Sequence, residues 1–131
     1  MNPQTSGIGI LRLGQISVNA HNIARSTAFY RDTLGLPLLF NAGAMAFFDC
    51  GGVRLMVSLP EKPEFDHPGS ILYFSVTDIA ATHHQLLARG ARFESDPHLV
   101  AKMPMYDLWV GFFHDSEGNR LALMSEVTRA S

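Results

Sequence analysis

The second half of this chain restates the first. Asp49-x-x-Gly52-x-Arg54-Leu55 recurs as Asp115-x-x-Gly118-x-Arg120-Leu121, and at the same offset Phe47 is matched by Phe113 and Phe48 by His114. Upstream, Asn22-Ile23 pairs with Asp78-Ile79 and Gly35 with Gly90. Residues repeated in the same order of elements point to one supersecondary unit used twice, and such a unit buries its apolar face only against its neighbour. At 131 residues the chain is long enough for one substantial core and too short for two. Two units sharing one core is the expected organisation.

The patterning gives the elements of each unit. Residues 15–19 alternate polar Gln15, Ser17 and Asn19 with apolar Ile16 and Val18, the period of a half-buried strand. Asn22 suits a helix N-cap, Ile23, Thr27, Tyr30 and Leu34 recur at helical spacing, and Gly35 suits the stop. Strands are predicted over 37–42, 46–49 and 53–58, the last two joined by the turn Asp49-Cys50-Gly51-Gly52. Residues 60–69, with Pro60, Pro63, Pro68 and Gly69, read as a linker. The order then returns: a strand over 70–76, Asp78 as N-cap, a helix face of Ile79, His83, Leu86 and Leu87, and Gly90 as stop. Strands follow over 91–96, 108–114 and 120–125, with 97–106 as a longer loop. The chain therefore reads as a single α+β domain of two βαβββ units, 11–59 and 70–126, around the linker 60–69.

Composition excludes several partners. The apolar fraction of 47% and charged fraction of 17% are those of a folded globular chain. A net charge of −2 with no basic stripe leaves nothing to neutralise a phosphate backbone, so nucleic acid is not an expected partner. The apolar runs are strand-sized, far below the roughly 20 residues that span a bilayer. The polar stretch from Met1 to Gly9 lacks the charged and apolar regions of a secretory leader. The one cysteine, Cys50, has no internal disulfide partner, which fits a reducing cytoplasm.

Three segments carry a family resemblance. Ala28-Phe29-Tyr30-Arg31-Asp32-Thr33-Leu34-Gly35-Leu36, Phe74-Ser75-Val76-Thr77-Asp78 and Phe113-His114-Asp115-Ser116-Glu117-Gly118-Asn119-Arg120-Leu121 occur in order over about residues 11–126. Together with the internal repeat they resemble the vicinal-oxygen-chelate superfamily, the group of glyoxalases, extradiol dioxygenases, fosfomycin-inactivating enzymes and bleomycin-resistance proteins. The resemblance implies that each βαβββ unit curls its sheet and that the two curls form a cupped mixed sheet around a small-molecule ligand. It also implies a homodimer, since unpaired sheet edges invite pairing between copies.

Enzymes of that group hold a divalent metal at the floor of the cup with one ligand from each of four strands. Those positions resemble Gln15, Met56, Ile71 and Ala122 of this chain. Zinc, nickel, manganese or iron need carboxylate, imidazole or amide donors. Gln15 offers one oxygen, Met56 a soft thioether, and Ile71 and Ala122 offer nothing. The expectation is no metal and no other cofactor, with a divalent metal as the runner-up.

What remains is a binding wall. Alternation places Gln15, Ser17, Arg54, Met56, Ile71, Tyr73, Arg120 and Ala122 on the cup face, polar anchors among apolar groups as a small-molecule site requires, and Phe48 is included with them. His98 and Lys102 fall in the long loop, where an imidazole could exchange protons near neutral pH and an ammonium could hold an anion. His98 and Tyr73 are the candidate catalytic groups. Strand parity leaves open which face of 108–114 carries Trp109 and His114. The expected function is binding of a small apolar or amphiphilic molecule in the cup without a metal. The alternative is a glyoxalase- or dioxygenase-type enzyme with unconventional metal ligands, such as Gln15 with His98 or His114.

Overall fold

The computed structural model describes residues 7–129; part of the polar stretch from Met1 lies outside them. Strand β1 (Gln15–Asn19) leads into helix α1 (Ile23–Ala28), which continues as one wider, π-type turn over Phe29–Thr33. Strands β2 (Leu38–Asn41), β3 (Met45–Cys50) and β4 (Val53–Ser58) complete the first sheet in the order β1-β4-β3-β2. After a short 3-10 turn at Pro63–Phe65 come β5 (Leu72–Ser75), α2 (Ile79–Ala88), β6 (Arg92–Phe93), β7 (His98–Lys102), β8 (Tyr106–His114) and β9 (Arg120–Thr128). The second sheet runs β5-β9-β8-β6, with β7 also paired to β8. In each sheet the first and last strands are parallel and the others antiparallel. These are two mixed sheets of one topology.

The local signals act as the sequence suggests. The Asn22 and Asp78 side chains accept from Arg25 N and Ala81 N, capping the two helices. Gly35 and Gly90 leave the helices at φ +74° and +90°, where a side chain would be strained. Both sheets turn their helix-covered sides to one core, in which Tyr30, Phe48, Leu55 and Val57 meet Ile79, Leu86, Phe113, Leu121 and Leu123. The units are also tied by polar contacts. Tyr30 Oη donates to buried Asp115 at 2.7 Å, and Asn119 Nδ2 donates to the Asn19 carbonyl at 2.8 Å. Glu117, from the β8–β9 turn, accepts from the Asn22 and His21 amides and from Arg25 at the start of α1. Among the described residues no helix is long and apolar enough to cross a membrane.

Two expectations are corrected. The segment 97–106 is not simply a loop, because its apolar Leu99 and Ala101 let it pair with β8 as β7, while β6 shrinks to Arg92–Phe93. The repeat register also slips by one within the hairpins. Four residues separate the paired Asp49 and Arg54, whereas five separate the paired His114 and Arg120. The strand-for-strand equivalent of Phe113 is therefore Phe48 and that of Phe112 is Phe47, although sequence matching pairs Phe47 with Phe113. A slip of one residue along a strand turns every side chain to the other face.

Candidate functional site

The site follows from that register. Residues directly opposite across an antiparallel pair share a face, so core residues Phe48 with Leu55 and Phe113 with Leu121 fix the buried side. The opposite, open side of the first sheet carries Gln15, Ser17, Phe47, Arg54 and Met56. That of the second carries Tyr73, Phe112, His114, Arg120 and Ala122. Phe48 is consequently not a wall residue. It is fully buried against Tyr30, because the pleat points it to the helix side, and its predicted role passes to Phe47.

Each wall is built on an arginine lying over a phenylalanine. The Arg54 guanidinium sits 5.2 Å from the Phe47 ring centroid, and Arg120 sits 3.8 Å from that of Phe112, which places both pairs within cation–π range. Phe47 stacks on Phe40 of β2 at 4.5 Å, and Phe112 meets Tyr73 edge-on at 6.0 Å. The duplication thus extends to a chemical motif, but the electrostatics of its copies differ. Arg120 Nε and Nη2 donate to both oxygens of Glu94 at 2.7 and 2.8 Å. This pairing holds the Glu94 carboxyl below the ordinary carboxylate range and raises Arg120. Arg54 Nε instead donates to the neutral Gln15 Oε1 at 2.7 Å.

The four floor positions can be tested against a metal. Ala122 is fully buried although it faces the open side. Its strand neighbours are Tyr73 and Phe112, whose rings meet over it. A ligand there would have to be longer than a methyl and would have to displace two aromatic rings. Gln15, the one oxygen donor of the set, has that oxygen engaged by Arg54, and its Nε2 lies 3.8 Å from the Met56 thioether. Ile71 is half-buried beside an apolar cavity of about 360 Å3 that Ile16, Leu55 and Tyr73 also line. These residues do not fit a hard or borderline divalent cation, and no cluster of three His, Cys, Asp or Glu suited to one occurs among the described residues.

The remaining candidates are dispersed. Ser17 is exposed on the rim of a cavity of about 490 Å3, shared with His21, Asp66 and Arg120. His98 opens β7 with its Nδ1 3.4 Å from the Asp96 carbonyl, and by register it stands across β8 and β9 from the β5 edge. Three strand spacings, roughly 14 Å, separate it from β5 and so from Tyr73. The two do not form a catalytic pair. Lys102 is exposed on β7 opposite Asp107. Trp109 packs against the core, whereas His114 takes the open face with Nε2 3.5 Å from Glu94. Cys50 is half-buried, and burial first and Asp49 second push its thiol pKa up, which is unsuited to a nucleophile. Sequence reasoning missed Phe47, Phe112 and Glu94. The repeated arginines were the available signal, but only the lengths of the two turns reveal which phenylalanine each arginine covers.

The model of the Glyoxalase/Bleomycin resistance protein/Dioxygenase superfamily matches residues 12–123. The metallothiol transferase FosB of Staphylococcus haemolyticus is 36% identical over 70 residues, 53% of this chain and 48% of that protein. The chain thus spans about half the length of the curated relatives it matches. A member of the same superfamily from Sphaerobacter thermophilus superposes with a TM-score of 0.76 at 21% identity, covering 91% of this chain and 100% of the other. The lactoylglutathione lyase of Agrobacterium tumefaciens gives a TM-score of 0.68 at 19% identity, covering 87% and 92%. At these identities the structures attest the fold alone. With a family model spanning most of its length, the chain belongs to the glyoxalase/bleomycin resistance protein/dioxygenase superfamily.

Proposed function

We propose that this chain binds a small apolar or amphiphilic organic molecule on its open sheet faces and does so without the metal of its enzymatic relatives. The observation that carries this reading is Ala122 sealed beneath Tyr73 and Phe112, at the floor position where a metal would need a donor. Aromatic rings, a thioether and two oriented guanidinium groups replace a ligand set, which is the mixture of apolar area and few fixed polar groups that small-molecule sites use. Among the described residues, strands β1 and β5 are each hydrogen-bonded to a neighbour on one side. A second copy that brings its Arg120 wall against the Arg54 wall would enclose a ligand from both sides, so a homodimer is the working form in this reading.

The experiment is native mass spectrometry of the purified protein followed by denaturing analysis of what it releases. An organic molecule bound to a dimer supports the reading, and a stoichiometric metal adduct with no organic ligand contradicts it. The name of the relative FosB, a metallothiol transferase, keeps one second reading in view. In it the chain is a metal-dependent enzyme using Gln15 with His98 or His114, and the same spectrum separates the two.

A further inference from the structure

The two Arg–Phe motifs are alike in geometry and unlike in charge. Arg120 is neutralised by the bidentate Glu94. Arg54 stands in the equivalent place with its Nε on an uncharged amide oxygen and, among the described residues, no carboxylate within ion-pair distance. The nearest acid by register is Asp49, directly across β3–β4, and its Oδ1 is turned to the Gly52 amide at 3.2 Å to close the hairpin. A second guanidinium, Arg12, reaches the same hairpin and donates to the Gly52 and Leu13 carbonyls. The first wall therefore carries a guanidinium without a carboxylate ion-pair partner among the described residues. Beside that charge lies the exposed ring of Phe40, stacked on the nearly buried Phe47 that Arg54 covers.

The geometry points to a small aromatic carboxylate as the ligand of the first wall. Its carboxylate takes the Nη groups of Arg54, whose Nε is held by Gln15, and its flat body lies against the exposed ring of Phe40. This inference rests on the small-molecule reading above and specifies its ligand class. A planar guanidinium oriented through its Nε presents the fork that matches a carboxylate. One uncompensated fork beside an exposed ring suits a monoanion with a flat apolar body. Gln15 acts here as a positioning residue: as an amide it orients Arg54 without cancelling its charge, which a glutamate at the same place would do.

The test uses 2-naphthoate and its uncharged isostere 2-naphthamide, titrated by isothermal calorimetry in EDTA. Wild type is expected to bind naphthoate roughly tenfold or more tighter than the amide, the size of a charge-assisted hydrogen-bonded pair. Arg54→Gln should remove that preference, weakening naphthoate binding by far more than it weakens amide binding. Gln15→Glu, which gives Arg54 a carboxylate partner like that of Arg120, should also remove it with the arginine still in place. Equal binding of acid and amide by wild type, or a preference that survives both variants, overturns the anion assignment and leaves the metal-free small-molecule reading standing. Absence of naphthoate binding at millimolar concentration both in EDTA and with zinc added overturns the proposed ligand class. Naphthoate binding that EDTA abolishes and zinc restores overturns the metal-free reading instead.

Discussion

Replacing Glu117 by glutamine tests the joint between the two units. The carboxylate comes from the β8–β9 turn of the second unit and accepts four hydrogen bonds from the start of α1 in the first. These are the His21 and Asn22 amides at 2.7 and 3.0 Å, and Arg25 Nε and Nη2 at 2.6 and 3.1 Å. Ser116 Oγ adds a fifth at 3.0 Å. Arg25 first, and then these backbone and hydroxyl donors, outweigh the effect of burial and hold the carboxyl at about 2 instead of 4.5. A displacement of that size is linked to about 3 kcal/mol of folding free energy at neutral pH. The Glu117 side chain is 1% exposed but Arg25 is 55% exposed, and solvent screens the arginine's share. Glu117→Gln should therefore cost about 2 kcal/mol at pH 7. Because folding depresses this carboxyl, its contribution is complete above the unfolded value near 4.5 and is lost as pH falls toward 2. Urea unfolding at several pH values reads both effects. Wild type should be more stable than the variant at pH 7, and the gap should close between pH 4.5 and pH 2. Equal midpoints at pH 7, or a gap that persists unchanged to pH 2, would refute the reasoning.

Three further outcomes follow from the register and the topology. Phe48→Ala should destabilise by about 3 to 5 kcal/mol, the loss for a fully buried ring, whereas Phe47→Ala should weaken ligand binding more than folding; thermal unfolding and calorimetry on the pair check this, and the reverse result would place the wrong phenylalanine on the wall. Ala122→Glu should lower stability by several kcal/mol, because a carboxylate would be forced beneath Tyr73 and Phe112; an unchanged melting temperature would show that the rings do not cover this position. Light scattering at micromolar concentration should give the mass of two chains, and a monomer would remove the second wall from the proposed site.

The fold was legible because the duplicated residues are those that turn and cap the chain. Asn22, Asp78, Gly35 and Gly90 act through their own backbone neighbours, and such local chemistry can be read without tertiary context. The wall was legible only in part. Gln15, Arg54, Tyr73 and Arg120 face the open side as alternation required. Alternation has no memory across a turn, however, and Phe48, included on the wall, pairs with Leu55 on the core side. The partner of Arg120 was illegible, because Glu94 lies on a segment whose pairing with β8 is long-range. Segment 97–106 was read as a loop, while β7 forms through its pairing with β8.

The most direct test of the metal-free reading is calorimetric titration of chelator-treated protein with zinc, nickel, manganese and iron(II), the iron under anaerobic conditions. With Gln15 tied to Arg54 and Ala122 beneath its rings, each metal is expected to give no saturable binding at the cup and no change on Gln15→Ala. Tight one-to-one binding of any of the four that is lost in Gln15→Ala would contradict the account, and the enzyme reading would take its place.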